Sequence, residues 1–152
     1  MRIIDRTTIS RPALRVWPYI ARPEYYQRWN SKIHAMAAEG EFQPGQPFTT
    51  HYIWNSRHLQ CLTVVTEIRE GKVLELKHSD FVGKEVDPGM TVVERITLRE
   101  GASGNTVVTK VVTVTGHRLL WLLLPVIWFV SRFGKPVGPD PLKLLCESDG
   151  GE

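Results

Sequence analysis

Leu119 to Val130, LLWLLLPVIWFV, is an unbroken run of twelve apolar residues, and nothing else in the 152-residue chain is like it. Crossing a bilayer takes about 20 apolar residues. Arg118 precedes the run and Ser131-Arg132 follow it, so it is too short to span. A helix lying in a membrane interface would suit Trp121, Trp128 and the flanking Arg118, Arg132 and Lys135, but it needs a polar face that this run lacks. The foremost reading is a buried helix around which the rest of the chain wraps. Pro125 removes a backbone donor inside it and should kink it. A kinked, wholly apolar helix makes an irregular wall, and irregular walls leave cavities.

The remainder suits one domain, residues 1–147, followed by a polar frayed tail, 148–152. Apolar residues make up 42% and charged residues 23%, ordinary for a globular chain. The net charge of +3 comes from scattered residues, so no nucleic-acid footprint is expected. Cys61 and Cys146 are isolated, and Met1-Arg2-Ile3 leads into a strand pattern without a signal-peptide core. A reduced, cytoplasmic protein is the simplest expectation. His34, His51, His58, His78 and His117 show no ligand spacing, so neither a metal nor another cofactor is expected.

Along the chain, Arg2–Ser10 is rich in β-branched residues and reads as a strand. Ser10 is placed to cap a helix with Pro12 in its first turn, which Pro18 should disrupt and Pro23 end. A short helix near Glu24–Arg28 leads to Trp29. Strands are expected at Ile33–Glu39, Phe48–Trp54, Arg57–Ile68, Val73–Ser79, Met90–Arg99 and Thr106–Thr115, separated by turns rich in Gly, Pro and Asn. After the apolar run, Gly134 to Pro139 break the chain. Asp140 then caps a last helical turn or two to about Cys146, with Pro141 at its first position. The fold class is α+β: about seven antiparallel strands curl around a C-terminal helix, with two short helices after the first strand.

Strand alternation assigns side chains to faces. If Arg95 and Arg99 meet water, then Val92, Glu94, Ile96 and Leu98 point inward. Glu75 and Lys77 outward puts Leu74, Leu76 and His78 inward. Lys110 outward puts Val107, Thr109, Val111 and Thr113 inward. A loop centred on Ala102-Ser103 would pair Leu98 with Val107 and Glu94 with Val111. Turns at Asn55-Ser56 and Glu70-Gly71 pair Tyr52 with Leu59 and Val65 with Leu76, so Tyr52, Trp54, Leu59, Cys61, Thr63 and Val65 also face in. His51 and His58 face out. The inward set mixes aliphatics with Tyr52, His78, Glu94 and threonines. Either Glu94 and His78 form a satisfied internal pair, or they line a partly polar cavity.

The order Ile9-Ser10-Arg11-Pro12-Ala13, Val16-Trp17, Arg22-Pro23-Glu24 and Trp29 resembles the opening of the SRPBCC (START-like) superfamily, particularly members similar to polyketide cyclases/dehydrases. Pro44-Gly45, Val65–Ile68, Gly104–Val108 and Leu142–Glu147 continue the resemblance. It implies a helix-grip fold and a cavity for a lipid, polyketide or other hydrophobic molecule, but no universal catalytic residues. The expected ligand-contacting residues are Trp29, Tyr52, Trp54, Cys61, Leu76, His78, Glu94, Ile96, Thr109, Thr113 and Trp121. Three functions compete: a carrier of a hydrophobic small molecule; a cyclase or dehydratase using Glu94 or His78 as acid or base, with Tyr52 and threonines orienting oxygens; and lipid handling through peripheral membrane contact by Leu119–Val130. The same run could serve as a homodimer face.

Overall fold

The computed structural model describes residues 1–54, 57–84, 86–87, 89–116 and 140–149, with the side chain of Trp54 excepted. The apolar run Leu119–Val130, with Trp121 and the kink expected at Pro125, lies outside the described residues, as do the turn residues Asn55 and Ser56. Seven strands form one antiparallel sheet: β1 (Arg2–Ile9), β2 (Ile33–Met36), β3 (Phe48–Trp54), β4 (Arg57–Arg69), β5 (Val73–Val82), β6 (Thr91–Glu100) and β7 (Thr106–Thr115). Their spatial order is β1-β7-β6-β5-β4-β3-β2. Strands β2 to β7 therefore form a meander, while β1 crosses over to pair with the last strand. The sheet curls into a half-barrel of the helix-grip type.

Helices α1 (Ala13–Ala21) and α2 (Pro23–Trp29) follow β1, and α3 (Pro141–Ser148) follows β7. In α1 the buried residues are Ala13, Val16, Trp17, Ile20 and Ala21, the spacing that puts one apolar stripe on a core. Two expectations about α1 fail. Pro18 lies inside the helix without ending it. The carbonyl that loses its i+4 partner belongs to Leu14, a residue that is 64% exposed. Nor does Ser10 cap it. Pro12 occupies the N-cap position with no side-chain cap, and the Ala13 N–H instead donates to Glu100 Oε1 at 3.3 Å. A carboxylate from the end of β6 thus serves the positive end of α1.

The C-terminal helix matches expectation at its start. Asp140 Oδ1 accepts from the Leu142 N–H at 2.8 Å and the Lys143 N–H at 3.4 Å, and Pro141 opens the helix. It runs on to Ser148, past the expected end near Cys146, and buries Leu142 and Cys146.

The register of β3, β4, β5 and β6 follows the alternation. Tyr52 pairs with Leu59, Val65 with Leu76 and Leu76 with Glu94. The Val65–Leu76 pair survives through two compensating offsets. The turn after β4 is one residue longer than expected, since Arg69 pairs with Val73, and a bulge between Val65 and Glu67 restores the parity.

The register of β6 with β7 does not follow. Leu98 pairs with Val108 and Glu94 with Val112, one residue off the expected Val107 and Val111. The connecting loop spans five residues, 101–105, with Glu100 opposite Thr106. Every β7 side chain therefore changes face. Thr106, Val108 and Val114 are buried, and Lys110 shares their face. The half-buried Val107, Thr109, Val111 and Thr113 lie on the other one. Thr109 and Thr113 are thus not cavity-facing residues.

Directly after β7 comes Gly116, where φ is +82° and a Cβ would collide with the Gly89 carbonyl; both facts require glycine there. Because Asp140 is the side-chain cap of α3, Asp140→Ala should lower unfolding free energy by roughly 1 kcal/mol, measured by urea denaturation.

Candidate functional site

A charge sealed inside a protein must be paired and hydrogen-bonded. Glu94, in the middle of β6, is 1% exposed, and four residues from three other elements and the segment after α2 converge on it. Its Oε2 accepts from the Tyr26 hydroxyl at 2.5 Å and from Asn30 Nδ2 at 3.0 Å, and it pairs with Lys110 Nζ at 3.3 Å. Its Oε1 accepts from the Tyr52 hydroxyl at 3.2 Å. Asn30 is oriented by its other end, because Oδ1 accepts the Lys32 N–H at 3.2 Å.

Burial alone would raise the Glu94 carboxyl. The Lys110 ammonium and the Tyr26 hydroxyl outweigh it and hold the group down at about 2. Burial, with Glu94 nearby, pushes the Tyr26 and Tyr52 phenols up, so both remain donors to the carboxylate.

His78 is wholly enclosed beside this cluster. Its Nε2 lies 4.0 Å from Glu94 Oε1 and has no hydrogen-bond partner among the described residues. Its Nδ1 is 2.8 Å from Thr63 Oγ1, which is 2.7 Å from Thr50 Oγ1. The neighbouring carboxylate favours the tautomer protonated on Nε2, leaving Nδ1 to accept from Thr63. Burial, aided by Lys110 and opposed by Glu94, lowers the His78 pKa, so the ring is neutral near pH 7. Cys61 Sγ sits 3.9 Å from Nδ1, and burial pushes its thiol up to about 12, which leaves it unreactive.

A cavity of about 250 Å³ opens above the cluster. It lies between the β1–β7–β6 side of the sheet, the end of α2 and the start of α3. Trp29, Ile96, Val108 and Leu142 give it apolar walls, and Asp5, Lys32, Lys110 and Asp140 supply its charges. The Lys110 ammonium stands 5.4 Å from the Trp29 ring centroid, within cation–π range. The indole N–H of Trp29 is tied to the Tyr19 carbonyl at 2.8 Å, which fixes the ring as a wall.

Of the expected contact residues, Trp29 and Ile96 line this cavity. Tyr52, Cys61, Leu76, His78 and Glu94 are buried on the same face of the sheet but are not among the residues that line the cavity. Thr109 and Thr113 are on the other face. Trp54 closes β3, and Trp121 lies outside the described residues. Sequence reasoning missed Lys110, Tyr26 and Asn30. The available signal was Glu94 itself: an inward carboxylate demands a cation, and Lys110 is the basic residue of β7, which neighbours β6. Among the described residues no three His, Cys, Asp or Glu side chains converge as a metal site, and no helix is long and apolar enough to cross a membrane.

Residues 10–118 match the family described as Activator of Hsp90 ATPase homolog 1-like protein, AHSA1. The chain belongs to the AHSA1 family. The family match, with which the fold agrees, also places this AHSA1-family protein in the SRPBCC superfamily. Solved structures agree over almost the whole chain. A protein from Nitrosomonas europaea shares 20% identity with a TM-score of 0.62, covering 98% of this chain and 96% of that one. A protein from Arthrobacter aurescens shares 13% at a TM-score of 0.67, covering 97% and 86%. Ara h 8.0201 shares 13% at 0.60, covering 97% and 98%. At these identities the likeness is one of fold. No curated protein matches the sequence.

Two outcomes are expected of the cluster. Lys110→Met strands a buried carboxylate and should cost on the order of 3–5 kcal/mol. Adding Glu94→Gln should recover part of that loss, which a double-mutant cycle by chemical denaturation measures. The second concerns acid. The Glu94 carboxyl titrates near 2 when folded against an ordinary 4.5. Its contribution is therefore complete above pH 4.5 and lost as pH falls toward 2. His78, whose ordinary value is 6.5, adds a loss in the same direction below pH 6.5, because only the unfolded chain takes up its proton. Stability measured from pH 7 to 3 should fall, and Glu94→Gln should flatten the lower part of that slope.

Proposed function

We propose that the protein is a non-catalytic binder of a small amphipathic molecule, held in the cavity between α2, α3 and the β1–β7–β6 side of the sheet. The observation that carries this reading is the cavity's composition. Apolar walls (Trp29, Ile96, Val108 and Leu142) carrying a few charged groups, the Lys110 ammonium among them, are the usual make-up of a ligand pocket. Its volume of about 250 Å³ lies just below the range of such pockets, roughly 300–1,000 Å³. That size favours a compact aromatic or short-chain molecule over a two-chain lipid. Membership in a family built on a grooved half-barrel supports the same reading.

An acid–base enzyme is less well supported by the same geometry. A carboxylate held near 2 and already accepting from Tyr26, Asn30 and Tyr52 has little proton affinity at neutral pH. His78 is fully enclosed and outside the cavity lining. A cytoplasmic setting fits Cys61 and Cys146, which are free, buried thiols. The membrane-contact and homodimer readings rest on Leu119–Val130, outside the described residues.

Mass spectrometry of an organic extract, from protein purified without detergent, tests the proposal. A small amphipathic compound near one equivalent is the expected result. Val108→Phe, which adds bulk to the cavity wall, should leave the fold intact and empty the extract. Equal yield from the variant would remove this cavity as the site.

A further inference from the structure

Resting on the binding reading, we propose that the cavity selects an uncharged ligand with a carbonyl-type acceptor on a compact apolar body, over the corresponding carboxylate. Glu94 sets that preference from beneath the cavity. The inference begins with Lys110, an ammonium with three N–H donors. One is directed to Glu94 Oε2 at 3.3 Å. The side chain is 20% exposed and lines the cavity beside Trp29, Ile96 and Val108, so a donor remains for an acceptor placed there.

A lone ammonium in an apolar enclosure would recruit an anion. Lys110 is not alone electrically. Glu94 is fully enclosed directly behind it, where solvent screens the pair weakly. Asp5, opposite Lys110 across the β1–β7 pairing, and Asp140 line the same cavity, with Lys32 as the other cation. Among the described residues, Asp5, Glu94 and Asp140 stand against Lys32 and Lys110, three negative charges against two positive, with the charge of Asp140 partly offset by the α3 N-terminus that it caps. An incoming carboxylate meets a net repulsive field, whereas a neutral carbonyl still gains a charge-assisted hydrogen bond from Lys110. A cationic ligand is disfavoured locally, because Lys110 already occupies the face of Trp29 and would repel it. Selectivity of this kind comes from the penalty imposed on the competitor.

Calorimetric titration at pH 7 and low ionic strength with a matched pair, 2-acetylnaphthalene and 2-naphthoate, tests this. The ketone should bind at least about tenfold more tightly than the acid. Glu94→Gln keeps a hydrogen-bonding side chain of the same size and removes the charge, so it should reverse the order in favour of naphthoate. Asp5→Asn, on an exposed edge strand and outside the buried cluster, should narrow the ratio by about threefold. If Glu94→Gln fails to give a native circular dichroism spectrum, Asp5→Asn alone decides. Wild-type protein that binds both probes equally, or prefers the acid, overturns the charge inference and leaves the binding reading standing. So does a ratio unmoved by the substitutions. Binding of neither probe overturns both.

Discussion

The constraint on which this structure depends is the burial of one ionised carboxylate. Apolar side chains in a core tolerate exchange for others of similar volume, but a sealed Glu94 tolerates few alternatives to its partners. It needs Tyr26 from α2, Asn30 from the segment after α2, Tyr52 from β3 and Lys110 from β7, all at bonding distance. Each requirement positions an element. Tyr26 and Asn30 seat the end of α2 on the sheet, and so place Trp29 between them as a cavity wall. Tyr52 holds the β3 side of the curl inward. Lys110 specifies which face of β7 looks into the barrel. The cluster and the cavity are therefore one piece of architecture, since the residues that satisfy the carboxylate also set the walls above it.

That dependence explains where sequence reading works here and where it does not. Strands β3 to β6 carry alternating patterns, and their inward faces, including Glu94 and His78, can be read residue by residue. β7 cannot. Thr106–Thr115 is TVVTKVVTVT, with valines on both faces, so periodicity gives no phase. The only cue is Lys110, and the usual rule that lysine meets water assigns it to the wrong face. The loop before β7 differs from expectation by one residue, which is enough to exchange the faces. The turn after β4 misleads by the same amount, yet the bulge at Thr66 cancels the error. Local pattern records such offsets poorly, because bulges answer to twist and packing between strands.

Tyr26 and Asn30 illustrate a second limit. α2 has seven residues, too few for helical periodicity to show which face is buried, and Asn30 after Trp29 reads simply as a helix stop. Its role depends on a carboxylate 64 positions away. The helix ends show the same division. Asp140 and Pro141 announce α3 through local chemistry, whereas the acceptor at the start of α1 is Glu100, 87 residues away. Interactions within a turn or two are written in adjacent residues, while those that build the candidate site join distant segments.

The placement of β1 beside β7 has a consequence for how the chain acquires its shape. The first strand has no partner until the seventh exists, and Arg11 and Thr106, 95 residues apart, are linked by a hydrogen bond that closes this seam. The meander β2 to β7 can zip by successive hairpins. The wall bearing Asp5 and Thr7 must wait, and Asp140, Pro141 and Leu142 arrive later still. Such a high contact order slows folding. On the ribosome it leaves β1 and its neighbouring helices without their sheet through most of synthesis. The cavity is thus assembled last, and an occupant that bridges β1, β7 and α3 would act as a clasp on the latest-forming part of the molecule.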